Sequence, residues 1–276
     1  MPTTYADVVR AIESAGLVDR VIALHSSLKS FGHLEGGAET VVRAFLDTGC
    51  TLVVPTFTYG CQVSPPPGWT LAQNGDEGRH PFDMEHVTGF DSASPMIERS
   101  MGAVPAYILS LRARVRGDHP LNSFAAIGPQ AAEIIAAQGM LNVYGPYKKM
   151  ITRSDAYVLL IGVGLTRTTP IHFGEEQSGR RLFRRWAKQA DGKVMEVEVG
   201  SCSDGFNHFD PVVNGIEKTI QVGDSQWRIF PFKPFIDTIA AVINQTPTIT
   251  HCDDPDCIRC RDMVLGGPLL SARNNS

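Results

Sequence analysis

The fold is decided by residues 157–176, which read YVLLIGVGLTRTTPIHFGEE. The run from Tyr157 to Val163 is the strongest candidate in the chain for a central, fully buried strand. Pro170 favours the start of a helix, which would place His172 and Glu175 on one face, three residues apart. In open α/β sheets ligands bind at the carboxyl ends of the strands, so we expect a functional site directly after this strand.

The pair formed by His172 and Glu175 suggests a specific chemistry. An imidazole is suited to accept a proton near neutral pH, and a neighbouring carboxylate fixes its tautomer and raises its basicity. The pair therefore predicts general-base catalysis. The alternative is an ordinary helix start that carries a histidine without function.

The segments before this strand predict the fold class. An amphipathic helix ends near Gly16, a buried strand covers Val21 to His25, a second helix runs from Ala38 to Gly49, and a strand covers Thr51 to Tyr59. This order predicts an α/β fold with a central sheet of parallel neighbours flanked by helices.

The rest of the chain adds elements to the same single domain, residues 1–276. Residues 60–95 have no hydrophobic period, so they predict a long surface excursion of the kind that forms lids or binding elements. Helices are predicted from Pro95 to Arg99, from Pro105 to Leu111 and from Pro129 to Gln138, a hairpin turn at Asp191-Gly192, and a polar tail over 267–276.

Composition excludes several classes of protein. The 276 residues include 25 Lys and Arg against 29 Asp and Glu, a net charge of −4, and 43% are hydrophobic. These values are typical of a globular protein and argue against a dedicated nucleic-acid binder. No apolar run approaches the roughly 20 residues of a membrane span, and residues 1–16 do not resemble a signal peptide. We therefore expect a cytoplasmic enzyme or binding protein with no nucleic-acid or membrane partner.

Two further polar segments are weaker candidates for sites. Glu35-Gly36-Gly37-Ala38 stands before a predicted helix, where free N–H groups and glycines suit a phosphate or pyrophosphate. Residues 116–124 combine a cation, a carboxylate, an imidazole and a hydroxyl. Each segment has an ordinary alternative, a flexible turn for the first and a capped turn for the second.

Three cysteines, Cys252, Cys257 and Cys260, lie close together near the end of the chain. Such spacing in an intracellular protein is more often linked to metal or redox chemistry than to disulfides. A tetrahedral zinc ion would need a fourth ligand, which His251 or Cys202 would supply. Packed, reduced cysteines remain the alternative.

Several stretches together resemble the aminoglycoside 3-N-acetyltransferase family, in the same order along the chain. They are HSSLKSFGHLEGGAETVVRAFL from His25, TLVVPTFTY from Thr51, HPLNSFAAIGPQA from His119, YVLLIGVG from Tyr157, TTPIHFGEEQ from Thr168, RRWAKQADGKVMEVEVGSCSDGF from Arg184 and CDDPDCIRCRD from Cys252.

The resemblance implies an acetyl-CoA-dependent acyltransferase that acts by direct transfer. His172 would be the general base. The hydroxyl of Thr168 or Thr169, or a backbone N–H, would donate a hydrogen bond to the developing oxyanion. Lys29 and Arg116 would meet the CoA phosphates. The full set of residues implied for CoA is Ser27, Lys29, Gly36, Gly37, Ala38, Arg116, His119, Ser123 and Phe124.

The implied acceptor is the 3-amino group of a 2-deoxystreptamine aminoglycoside, a polycationic amine, and a homodimer is a further expectation. Acidic residues of the excursion, on its substrate side, would receive the amine, with a solvated loop as the alternative. The implied acceptor contacts are Asp83, Asp91, Glu175 and Glu176.

The sequence also departs from the family pattern. Ala106 stands where many relatives carry a glutamate, and residues 144–150 read YGPYKKM. These differences leave open the same chemistry on another amine. The cysteine cluster leaves open a second alternative, a CoA- or metal-binding protein without catalysis.

Overall fold

The computed structural model describes residues 1–76 and 86–270. Its helices are α1 (Tyr5–Ala15), α2 (Gly37–Asp47), α3 (Ala103–Ser110), α4 (Ala131–Ile135), α5 (Gly145–Met150), α6 (Pro170–Gln177), α7 (Asp210–Val213), α8 (Phe232–Gln245) and α9 (Ile258–Val264). Its strands are β1 (Val21–Ser26), β2 (Thr51–Pro55), β3 (Gln62–Val63), β4 (Val115–Arg116), β5 (Phe124–Ile127), β6 (Ala156–Ile161), β7 (Phe183–Lys188), β8 (Val194–Val199), β9 (Lys218–Val222) and β10 (Ser225–Pro231).

The larger sheet has seven strands in the order β4-β5-β2-β1-β6-β10-β9. Strand β1 lies at its centre and pairs in parallel with β2 on one side and β6 on the other. Strands β5 and β10, which flank these three, pair with them in the antiparallel direction. This confirms the predicted α/β class, with parallel neighbours at the centre only.

Alternate residues of the central strands enter two separate cores. Val21 and Ala23 of β1 belong to one core, while Ile22 and Leu24 belong to the other. Helices α1, α2 and α3 cover the second core, and α4 to α8 cover the first. The sheet is therefore the middle layer of three, which is why β6 has no polar face. Within the described parts of the chain, no helix is long and apolar enough to cross a bilayer.

A second, smaller sheet is antiparallel and has the strand order β3-β7-β8. Strands β7 and β8 form the hairpin predicted around Asp191-Gly192. The described parts of residues 60–95 do not all lie on the surface, because Gln62 and Val63 pair with β7 and the side chains of Asn74 and Phe90 are buried.

Some predicted elements differ from those of the structure. Strand β2 ends at Pro55 instead of Tyr59, where a 3₁₀ turn begins. The helix predicted from Pro95 to Arg99 is wrong, because the Arg116 guanidinium donates to the carbonyls of Ser94 and Met96, which a helix would use itself. Helix α4 covers only 131–135 of the predicted 129–138.

Helix α6, which carries His172, packs closely on α8 through Gly174. A Cβ atom built on Gly174 would lie 2.4 Å from Ile239 Cγ2 and 2.9 Å from Ile239 Cβ. The missing side chain thus sets how near the two helices approach, and with it the position of His172.

Replacing Gly174 with Ala tests this contact. Helix propensity alone would stabilise the variant by about 1 kcal/mol, but overpacking of this kind costs about 1–3 kcal/mol. We expect Gly174→Ala to lower the free energy of unfolding in urea, and to do so less in an Ile239→Ala background. A single variant more stable than the wild type would contradict the packing argument.

Candidate functional site

A buried carboxylate, Glu175, lies at the centre of the candidate site. Its side chain is completely buried. Oε2 is 2.9 Å from His172 Nδ1 and accepts a 2.6 Å hydrogen bond from the Ser201 hydroxyl, while Oε1 accepts a 3.0 Å bond from Arg180. With Oε2 on Nδ1, this network assigns the Nδ1–H tautomer to a neutral His172 and leaves Nε2 as its acceptor nitrogen.

Aromatic rings and a glycine hold the imidazole of His172 in place. Tyr144 stacks parallel to it at 6.4 Å between ring centroids, and Phe206 meets it edge-on at 4.7 Å. A Cβ on Gly200 would lie 2.9 Å from His172 Cγ and 2.6 Å from the Tyr144 hydroxyl. Only glycine lets the chain after β8 pass this closely, so that Ser201 can reach Glu175.

His172 lies where two clefts meet. One cleft has a volume of about 930 Å³ and the other about 340 Å³, and both are lined by His172, Ser201 and Arg259. The larger cleft opens where β1 and β6 end, as the rule for α/β sheets predicts. A base at this junction can reach two different ligands at once.

Four of the residues predicted from the sequence line the larger cleft together with His172. They are Ser27, Lys29, Thr168 and Thr169. Among the described residues that line this cleft, the ionic groups are three cations and one carboxylate, namely Lys29, Arg167, Arg259 and Asp204. The excess of positive charge suits an anionic ligand.

His25, which the sequence analysis left unassigned, also borders the larger cleft. Its Nε2 is buried and has no hydrogen-bond partner among the described residues. Burial lowers the pKa of this imidazole to about 3, so the ring is neutral at physiological pH. An unpaired buried nitrogen at the edge of a cleft is suited to a polar group of a ligand.

Four other residues predicted to bind CoA are buried and make contacts within the protein. They are Arg116, His119, Ser123 and Phe124. The Arg116 guanidinium donates to Ser123 Oγ and to the Thr56 carbonyl, and burial lowers its pKa to about 10. His119 bonds to the carbonyl of Glu198 and to backbone N–H groups of its own loop. Phe124 lies in the core. The described lining of the two clefts does not include these four side chains.

The glycine segment opens α2, as predicted. Gly36 has a left-handed conformation with φ of 71°, and a Cβ there would lie 2.4 Å from Thr40 Oγ1. Gly36, Gly37 and Ala38 are not among the described residues that line either cleft.

The three predicted acceptor carboxylates that the structure describes, Asp91, Glu175 and Glu176, each have different partners. Asp91 is exposed and accepts a bond from the Ala93 N–H, Glu176 pairs with Lys148, and Asp83 lies outside the described residues. Glu175 lies behind His172, which favours the role of partner to the imidazole over contact with a substrate.

The three predicted cysteines are joined by a fourth. The sulfur atoms of Cys202, Cys252, Cys257 and Cys260 all lie within 4.8 Å of one another. The adjacent His251 directs Nδ1 at the carbonyl of Cys252 instead.

Sequence reasoning missed three charged or polar residues of the site, Arg180, Ser201 and Arg259. Arg180 buries its guanidinium against Glu175 and Thr250, and burial lowers its pKa. Arg259 donates to the carbonyls of Gly200 and Ser201. The available signals were the polar run after β8 and the arginine between two clustered cysteines.

Fold and site define an α/β protein with a buried histidine–carboxylate pair facing a ligand cleft. The family model described as aminoglycoside 3-N-acetyltransferase matches residues 23–244. The chain belongs to that family.

Known members show how far the similarity extends. Aminoglycoside N(3)-acetyltransferase IX of Micromonospora chalcea is 28% identical over 267 residues, which cover 84% of this chain and 90% of that protein.

Solved structures share the fold at lower identity. A mutant of aminoglycoside acetyltransferase AAC(3)-IVa in complex with a gentamicin has a TM-score of 0.72 at 23% identity, covering 96% of this chain and 98% of its own. AAC-IIIb bound to CoASH has a TM-score of 0.74 at 20% identity, covering 89% and 97%.

A structural role for His119 predicts a specific dependence of stability on pH. Burial lowers the pKa of His119 to about 4, below the ordinary 6.5. The unfolded chain therefore takes up the proton first, and stability that is present above pH 6.5 is lost as the pH falls toward 4.

We expect His119→Gln to remove this part of the acid sensitivity. Between about pH 7.5 and about pH 5 the variant should lose about 2 kcal/mol less unfolding free energy than the wild type. Urea titrations at both pH values measure the difference, with the exposed His33→Gln as control. Equal losses in wild type and His119→Gln would contradict the role.

Proposed function

We propose that this protein is an acetyl-CoA-dependent N-acetyltransferase with His172 as its general base. The observation that carries the proposal is the position of His172 at the junction of two clefts, with Nδ1 held by Glu175. One cleft would take the acetyl donor and the other the amine acceptor.

The larger cleft fits the donor. Lys29 and Arg167 supply cations for the CoA phosphates, and the unpaired Nε2 of His25 would meet a polar group of the donor. The CoASH complex of AAC-IIIb, a protein of the same fold, supports this assignment.

The reaction needs a base because an attacking amine must lose a proton to become an amide. His172 Nε2 would take this proton as the nitrogen of the neutral amine attacks the thioester carbonyl. The carbon–sulfur bond then breaks, and the imidazolium would return the proton to the departing CoA thiolate. The Glu175 carboxylate would stabilise the resulting imidazolium, while Arg180 and Ser201 keep that carboxylate in position. Thr168 and Thr169 both line this cleft, and Thr169 is the candidate donor to the oxyanion because the Thr168 hydroxyl donates to the Gly164 carbonyl.

The first candidate acceptor is the 3-amino group of a 2-deoxystreptamine aminoglycoside. Membership of the family supports it, as do the relative named for that activity and the gentamicin complex of a protein with the same fold. Asp83 and Asp91 would contribute charge from the excursion. Acetyl-CoA is made inside cells, so this function places the protein in the cytoplasm.

A second candidate acceptor is an amine that also carries a carboxylate or phosphate. The smaller cleft is lined by Arg185 and Arg259, and its described lining contains no carboxylate. Burial lowers the pKa of Arg185 to about 10; the attraction of Asp76 opposes this shift, and the weaker repulsion of Arg259 adds to it. An anion between these guanidinium groups would relieve their repulsion, whereas a polycation would add to it.

Removing the imidazole tests the mechanism. We expect His172→Ala to lower kcat by about 10²–10⁴-fold, because general-base assistance is lost, and to leave the affinity for acetyl-CoA nearly unchanged. Thiol release measures turnover, calorimetry measures binding, and the exposed His33→Ala serves as control. Unchanged turnover in His172→Ala would exclude this histidine as the base.

Arg259 distinguishes the two acceptors. A panel of aminoglycosides and of amines bearing carboxylate or phosphate groups is assayed with acetyl-CoA, first with the wild type and then with Arg259→Gln. For an anionic acceptor we expect the acceptor KM to rise about tenfold or more, because a charge-assisted contact is lost. For an aminoglycoside we expect KM to stay equal or fall.

Arg261→Gln, on the same helix and largely exposed, is the matched control. A panel in which no amine is acetylated would overturn the proposed function, and turnover confined to aminoglycosides would exclude the second acceptor.

A further inference from the structure

We propose that Cys202, Cys252, Cys257 and Cys260 bind one zinc ion as a structural site. Their four sulfur atoms lie within 4.8 Å of one another. A tetrahedral site with zinc–sulfur bonds of about 2.3 Å requires sulfur atoms about 3.8 Å apart, so small side-chain movements suffice to close the site.

The cluster is assembled from distant parts of the chain. Cys202 follows β8, Cys252 follows the turn at Pro247–Thr250, and Cys257 and Cys260 lie at the start of α9. All four are free thiols. Four converging thiols are one of the ligand sets that bind structural zinc.

One backbone hydrogen bond at the sulfur atoms fits ligation. The N–H of Cys252 donates to Cys260 Sγ at 3.4 Å, and Cys260 Sγ lies 3.5 Å from Cys252 Sγ. Backbone N–H groups directed at sulfur are the outer contacts that orient thiolate ligands. His251, the other candidate fourth ligand, bonds to a backbone carbonyl. The geometry therefore selects Cys202, and a site of four cysteines.

The position of the four cysteines indicates which segments of the chain the ion would hold together. Cys202 directly follows Ser201, whose hydroxyl binds Glu175, and Arg259 lies between Cys257 and Cys260 and donates to the carbonyls of Gly200 and Ser201. The ion would thus tie the chain after β8 to the start of α9, at the wall shared by both clefts. That Ser201 and Arg259 act in catalysis rests on the proposed function; the metal site itself does not.

Metal analysis of the wild type is the first test. We expect about one equivalent of zinc in protein purified without chelators, and its release by a mercurial reagent that blocks thiols. Cobalt in its place should give the intense visible absorption of a tetrahedral thiolate site. Protein with less than about 0.1 equivalent of zinc and no such cobalt spectrum would overturn the proposal.

Single substitutions identify the ligands. Cys202→Ser and Cys257→Ser should lose most of the zinc, while His251→Ala and the distant, buried Cys50→Ala should keep about one equivalent. Where a serine variant does not fold, competition between the intact protein and a chromogenic chelator, with and without the mercurial, still reports the site. Zinc kept by Cys202→Ser and lost by His251→Ala would overturn the four-cysteine assignment.

Hydrogen exchange separates this proposal from the proposed function. On zinc removal, residues 200–203 and 252–260 should exchange faster while the central strands β1 and β6 keep their protection. Unchanged exchange in both segments would overturn the structural role. A zinc-loaded protein that acetylates no amine would refute the function and leave the site established.

Discussion

The fold around the site depends on the burial of one carboxylate. Glu175 has no contact with solvent, and taking a charge out of water costs several kcal/mol unless partners replace the lost hydration. Those partners are His172, Arg180 and Ser201, which come from the helix itself, from the chain beyond it and from the end of β8. The carboxylate thereby requires three segments to meet at one point.

This meeting point lies between the two sheets. The larger sheet supplies the strand ends that open the larger cleft, and the β7–β8 hairpin leads into the turn at Gly200 that carries Ser201. Helix α9 closes the same wall through Arg259. The proposed zinc ion would stabilise this wall, where the chain after β8 and the chain before α9 are loops without the backbone hydrogen bonds of a helix or sheet.

Local pattern predicted the parts of the molecule that are regular. The buried strand β6, the helix that begins at Pro170 and the β7–β8 hairpin were all readable, because burial and turn chemistry repeat over short distances. The helix predicted from Pro95 to Arg99 does not form, because backbone carbonyls at its start accept hydrogen bonds from the guanidinium of Arg116, which is remote in sequence. In the polar run from Arg116 to Phe124, Arg116 and His119 bond to the protein's own backbone, whereas Leu121 and Asn122 line the smaller cleft.

The sequence by itself determined the α/β class, because the order of strands and helices is visible along the chain. It also determined the candidate base at His172 and the existence of a cysteine cluster, because each of these motifs spans only a few residues. Only the tertiary structure decided what these groups face. It placed His172 between two clefts, brought Arg180 and Ser201 to Glu175, added Cys202 to the three cysteines and set two arginines in the smaller cleft. These contacts depend on how close residues from remote segments lie in space and how deeply they are buried. Neither the distance nor the burial can be read from a short stretch of sequence.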